Sequence, residues 1–200
     1  MIESAADLRG LYACPKERAV KKQLDHLDPH CARFIELSPF VVIATGSGDG
    51  RMDASPRGGA PGFVKVLDPN TLLLPDAPGN NRLDSMSNLV AAGGVGLLFL
   101  IPGVDETLRV NGRARLRDDL ETTRRFTTEK RTPKLVIEIV VEEAYLHCAK
   151  ALMRSNLWAP EARNDRSVLP TLGQMINEQT GSQMLPESQE AMVARYAADL

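Results

Sequence analysis

The hydrophobic pattern of this chain changes period near residue 38. Before it, apolar residues recur at helical spacing in ADLRGLY and in KERAVKKQLDHL, and Pro15 stands where a helix-start residue would. DPHCARFIELS reads as a further helix, with Asp28 as N-cap and Pro29 at the first helical position. Pro39 ends this region, because a proline steers the residue before it away from helix.

Strand patterns dominate afterwards. PFVVIATG (39–46) is a β-branched apolar strand, GSGDG (46–50) a glycine-rich turn, and RMDASPRG (51–58) extended again, so the three predict a hairpin. GFVKVLD (62–68) and TLLLP (71–75) predict a second strand pair, turned at Asp68-Pro69-Asn70. A helix is predicted over about 81–91, then a strand in VGLLFLI (95–101). In TLRVNGRARLR (107–117), Leu108, Val110, Gly112, Ala114 and Leu116 alternate with Arg109, Asn111, Arg113, Arg115 and Arg117. That period of two buries one face and leaves the other polar, and a solvated face is the ordinary reading of the arginines. DDLETTRRF predicts a short helix and PKLVIEIVVEEAYLHC (133–148) the longest strand. HCAKALMRS continues with helical spacing, and two helices near 170–179 and 187–199 close the chain.

Strands in adjacent runs with short turns, and few helices, predict a mainly β (α+β) fold built on an antiparallel sheet. Closing that sheet into a small barrel would remove its edges. The expected organisation is N-terminal helices over 1–38 packing on the barrel, a barrel core over 39–158, and a helical extension of the same domain over 159–200.

Composition narrows the function. Apolar residues at 43% and charged residues at 25% suit an ordinary globular chain, and a net charge of −2 gives no reason to expect nucleic acid or a membrane surface as partner. No apolar run approaches the roughly 20 residues that cross a bilayer, and MIESAADLRGLY lacks the apolar core of a secretion signal. Three scattered cysteines, Cys14, Cys31 and Cys148, argue against a disulfide framework and for the cytoplasm. His30-Cys31 and His147-Cys148 invite a metal reading, but neither forms a CxxC or HxxxH spacing, so no metal is expected. GSGDG is followed by no helix, and Gly93-Gly94-Val95-Gly96 leads into a strand, so neither is a phosphate or dinucleotide fingerprint.

The most informative stretch is PGNNRLDS (78–85), a strand-to-helix junction. A helix start offers unpaired N–H groups and a partial positive charge, and Arg82 adds a guanidinium fork. Arg57, at the end of another predicted strand, could converge on the same anion. The alternative is an ordinary helix start, with Asn80 or Asn81 as N-cap and Asp84 favouring the positive end.

DASPRGG, LLLPDAPGNNRLDS, VGLLFLIPG, ETLRVNGRARL and HCAKALMRSNLW, in that order, resemble the pyridoxamine 5′-phosphate oxidase-like flavoproteins, in the branch described as FMN-dependent enzymes. The resemblance spans roughly residues 30 to 160. It implies an FMN-binding split β-barrel, with FMN phosphate held by Arg57 and Arg82 and by contacts from Asn80, Asn81 and Leu83. The family usually places two adjacent basic residues at the helix start, and Asn81 stands at the first of them. Ser55 and Pro56 would line the ring, and Pro75 and Asp76 would approach the ring or ribityl chain. Phe99 and Arg109 would reach the flavin from a partner subunit, and Lys150, Ser155, Leu157 and Trp158 from the segment after the long strand. Trp158 reads equally as a packed aromatic at a dimer interface. The resemblance therefore implies a homodimeric FMN-dependent oxidoreductase, reduced by NAD(P)H or another donor. No residue stands out as an acid or base for a particular substrate. Two alternatives stay open: a non-catalytic flavin-binding or sensing protein, and a binder of F420 or haem, ligands the same barrel accepts in the wider family.

Overall fold

The computed structural model describes residues 1–128 and 131–197. They form two compact units, Met1–Ser155 and Asn156 to the C-terminus.

The first unit is built on seven strands: β1 Phe40–Gly46, β2 Met52–Gly58, β3 Lys65–Asp68, β4 Thr71–Pro75, β5 Gly94–Leu100, β6 Thr107–Arg117 and β7 Val136–His147. Their order is β2-β1-β5-β6-β7-β4-β3 and every pairing is antiparallel. Val41 and Ile43 of β1 share one buried cluster with Leu72 and Leu74 of β4, although three strands separate β1 from β4 in the sheet. The sheet must therefore curl around a common interior, as a split barrel does. Alternate positions of β5 (Val95, Leu97, Phe99), of β6 (Leu108, Val110) and of β7 (Ile137, Ile139, Val141) complete that core.

The register between β6 and β7 slips after Asn111, where Glu143 and Val141 face consecutive residues and Glu142 is the extra one. Gly112 makes this bulge passable, since a Cβ there would lie 2.0 Å from the Val140 carbonyl oxygen.

The helices of this unit are α1 Ala5–Gly10, α2 Glu17–Lys21, α3 Pro29–Leu37, α4 Asp84–Ala92, α5 Leu120–Thr123 and α6 Lys150–Ser155. Helix α3 packs Cys31, Phe34 and Ile35 into the core, and α4 packs Met86 and Leu89. Asn88 Nδ2 donates to the buried Thr45 hydroxyl at 3.0 Å, which ties α4 to β1. Gly93, with φ 73°, turns the chain from α4 into β5. The sequence-predicted helix in KERAVKKQLDHL shrinks to α2, which starts after Lys16 and not at Pro15. Leu24 leaves the helical path to exchange backbone hydrogen bonds with Ala144 of β7, at 2.9 and 2.8 Å. A long-range pairing there overrides local helix propensity.

The second unit carries α7 Leu172–Thr180 and α8 Gln189–Ala197. Thr171 and Gln174 form a capping box at the start of α7, and Glu187 binds the Arg195 guanidinium by two hydrogen bonds, 3.0 and 2.7 Å.

Candidate functional site

The face that β2 turns toward the barrel carries Asp53, Ser55 and Arg57, opposite the buried Thr45, Ile43 and Val41 of β1. Arg57 and Asp53 meet the first turn of α4, and Ser55 is joined to it through Asp53. Arg57 Nη2 donates to the Ser85 hydroxyl at 3.1 Å, and Ser85 Oγ donates to Asp53 Oδ2 at 2.5 Å. The Ser55 hydroxyl donates to the same carboxylate, at 2.9 and 3.2 Å. Ser85 is buried, so Arg57 is locked against the helix start. Arg57 Nη1 also donates to the Pro56 carbonyl at 2.8 Å.

The helix start itself is unusual. Leu83 occupies the N-cap position in left-handed conformation, φ 61° and ψ 22°, and no side chain caps the helix. Asn81 is also left-handed, with φ 58°. Neither Asn80 nor Asn81 is the N-cap, which corrects the ordinary-cap reading. Asn80 Oδ1 instead accepts from the Arg82 N–H at 3.1 Å, closing a small loop before the helix. Arg82 is exposed and pairs through Nε with Asp84 at 2.8 Å. That hydrogen bond, and then the charge of Asp84, push the Arg82 guanidinium above its ordinary value. A groove of ≈ 350 Å³ opens beside this turn, with Asp53, Arg82, Asp84 and Asn88 among its lining. Uncapped N–H groups flanked by two arginines are the donor set a phosphate needs, so these residues fit a phosphate-bearing flavin.

Pro75 ends β4, and the N–H of Asp76, which follows it, donates to the Leu135 carbonyl at 3.0 Å. Phe99 is fully buried in the barrel core. Its side chain belongs to the core, and the expected contact with a neighbouring subunit's flavin does not hold for it.

Arg109 lies on the outer face in a second polar group. Its Nη2 donates to Glu143 Oε1 at 2.5 Å, as does Asn111 Nδ2 at 3.0 Å, while Gln23 Nε2 donates to Glu143 Oε2 at 2.6 Å. The Tyr145 ring has the Arg109 guanidinium at 4.3 Å and Lys22 Nζ at 5.0 Å. Burial, then the charges of Arg109 and Lys22, hold the neighbouring His147 imidazole below its ordinary value. Arg109 Nε is buried without a hydrogen-bond partner.

Lys150 opens α6, and the Ser155 hydroxyl at its end donates to the Leu152 carbonyl at 3.0 Å. Leu157 and Trp158 belong to the second unit. Cys31 is buried, which pushes its thiol up to about 12, as for a small core residue and not a reactive one. Among the described residues no cluster of three potential metal ligands occurs, and no helix is long and apolar enough to cross a membrane.

Sequence reasoning missed Asp53 and Ser85. The signal for Asp53 was present, because positions 53, 55 and 57 of an extended strand share one face. Ser85 could be placed only once the true start of α4 was known.

Fold and site together define a split β-barrel protein with an uncapped helix start between two arginines. More particularly, the chain belongs to the pyridoxamine 5′-phosphate oxidase family, whose model matches residues 27–148. Two solved structures of HupZ from Group A Streptococcus are similar with a TM-score of 0.50. One is 15% identical over 60% of this chain and 93% of that chain. The other, a single-residue variant, is 17% identical over 60% and 99%. An FMN-binding protein from Syntrophomonas wolfei subsp. wolfei is 14% identical over 58% of this chain and 84% of that chain, with a TM-score of 0.46. At these identities the likeness to HupZ concerns the fold. No curated protein matches the chain.

Proposed function

We propose that this protein is an FMN-dependent oxidoreductase, a cytoplasmic homodimer that takes electrons from NAD(P)H or another small donor. The observation that carries the reading is the uncapped start of α4 with Arg57 anchored in its first turn. Family membership supports the choice of FMN over other phosphate-bearing ligands. Arg57, Arg82 and the backbone from Asn80 to Leu83 would hold the phosphate, and Ser55, Pro56, Pro75 and Asp76 would border the rest of the cofactor. Bound FMN would supply hydride and electron transfer. Arg109 would contribute across the dimer. Lys150 and Ser155 would close the site.

The sheet's outer face supports the dimer. Pro56, Val42, Leu98 and Arg109 follow one another across β2, β1, β5 and β6 on that face. Phe40, Ala44 and Leu100 extend the apolar part, so β1 and β5 are apolar on both faces. A strand reads this way when each face is covered.

Purification tests the proposal. A yellow protein whose released pigment has the mass of FMN is expected, with bleaching by NAD(P)H under anaerobic conditions. A colourless protein that takes up no added FMN would refute flavin binding. A pigment with the mass of F420 or haem would replace the cofactor, and FMN that resists every reductant would point to a carrier or sensor. A monomer in sizing experiments with FMN bound would refute the dimer.

A further inference from the structure

We infer that Asp53 is an internal counter-charge that weakens the clamp's hold on a dianionic phosphate and so keeps the flavin exchangeable. The inference rests on the flavin-phosphate reading above. Ser85 Oγ accepts from Arg57 and donates to Asp53 Oδ2, so one hydroxyl joins the cation to the acid. Ser55 fixes the same carboxylate from the other side. Asp53 also lines the groove that Arg82 lines, and its charge reaches the Arg82 guanidinium. Asp84 already pairs with Arg82. Arg57 and Arg82 are thus each engaged by an aspartate before any ligand arrives, and Arg51, which also lines the groove, pairs with Asp49 at 3.0 Å. A phosphate monoester, which carries a charge of about −1.5 to −2 near neutral pH, meets a near-neutral clamp with one carboxylate fixed inside it. A fixed carboxylate beside the anion disfavours its binding. The Arg82–Asp84 pair is exposed and rearranges at little cost, whereas Asp53 is held by two serines and stays.

The substitution Asp53→Asn keeps an oxygen acceptor for Ser55 and Ser85 and removes the charge. Titration of the apoprotein with FMN and with riboflavin, which lacks the phosphate, separates charge from shape. The expected result is FMN binding about tenfold tighter in the variant, equivalent to about 1.4 kcal/mol, with riboflavin affinity unchanged. Asp53→Ser, also uncharged, should move FMN affinity in the same direction, and melting curves verify that both variants fold. FMN binding unchanged or weakened in both variants would overturn the inference, as would equal tightening of riboflavin. The flavin-phosphate reading fails separately, on the unsubstituted protein, if FMN does not bind or binds no better than riboflavin, and the inference falls with it.

Discussion

Helices α3 and α4 have the same length of 9 residues, and both pack apolar residues into one core, yet they begin in opposite ways. At α3, Asp28 is extended, its carboxylate accepts from the Cys31 N–H at 2.7 Å, and Pro29 follows. Burial alone would raise the Asp28 carboxyl, but hydrogen bonds from the Cys31 N–H and thiol outweigh it and hold the group below its ordinary value. This helix seals its own positive end. At α4 a left-handed leucine stands in the cap position, and the nearest hydroxyl, Ser85, turns toward Asp53 and Arg57. Capping and burial account for the start of α3, whereas α4 keeps its N-terminal donors open with arginines beside them. Backbone strain and absent caps are tolerated where a site needs the geometry.

Removing the cations at α4 should have the largest effect. The double substitution Arg57→Ala, Arg82→Ala should weaken FMN binding at least about 100-fold, because each charge-assisted hydrogen bond contributes about 1.5–3 kcal/mol. Flavin fluorescence titration reads this, and an unchanged affinity would end the clamp assignment. The complementary change at α3, Asp28→Ala, should cost about 1 kcal/mol of stability and leave FMN affinity alone. Chemical denaturation and the same titration check both halves.

Acid separates the capped helices from α4 as well. Asp28 lies below its ordinary value in the folded chain, and Asp119, the N-cap of α5, lies at about 2, held first by the Thr122 N–H and then by Arg117. A carboxyl lowered on folding contributes stability that is full above its unfolded value and lost as pH falls through the folded one. Stability should therefore decline from about pH 4 toward pH 2, and Asp119→Ala should flatten that decline in pH-dependent denaturation. The smallest effect belongs to Leu83. It is 54% exposed and left-handed, so Leu83→Gly sacrifices little burial and relieves the backbone. A gain of up to about 1 kcal/mol is expected in thermal melts, with FMN binding preserved through the unchanged backbone.

The same contrast explains what was legible in the sequence. Asp28-Pro29 is a local signal, and the helix starts where it says. The alternation in 107–117 gave β6 its bounds, because leucine and arginine mark opposite faces. VGLLFLI is apolar at every position from Leu97 to Ile101, so parity could not be read, and Phe99 fell to the core rather than to a subunit contact. At 78–85 the turn residues announced a junction, but the helix begins after Leu83, because two left-handed residues redirect the chain first. The Asp53–Ser85–Arg57 relay joins residues far apart in sequence, and only the folded barrel brings them together. The short α2 has the same origin, since the pairing of Leu24 with Ala144 is a tertiary event.

The start of α4 is proposed to hold a flavin's phosphate. Parallel titration of the apoprotein with FMN and riboflavin tests it most directly. FMN should bind about 100-fold tighter or more, consistent with two guanidiniums on the phosphate, and the gap should collapse in the Arg57→Ala, Arg82→Ala protein. Equal affinity for the two flavins in the unsubstituted protein would contradict a phosphate site at α4.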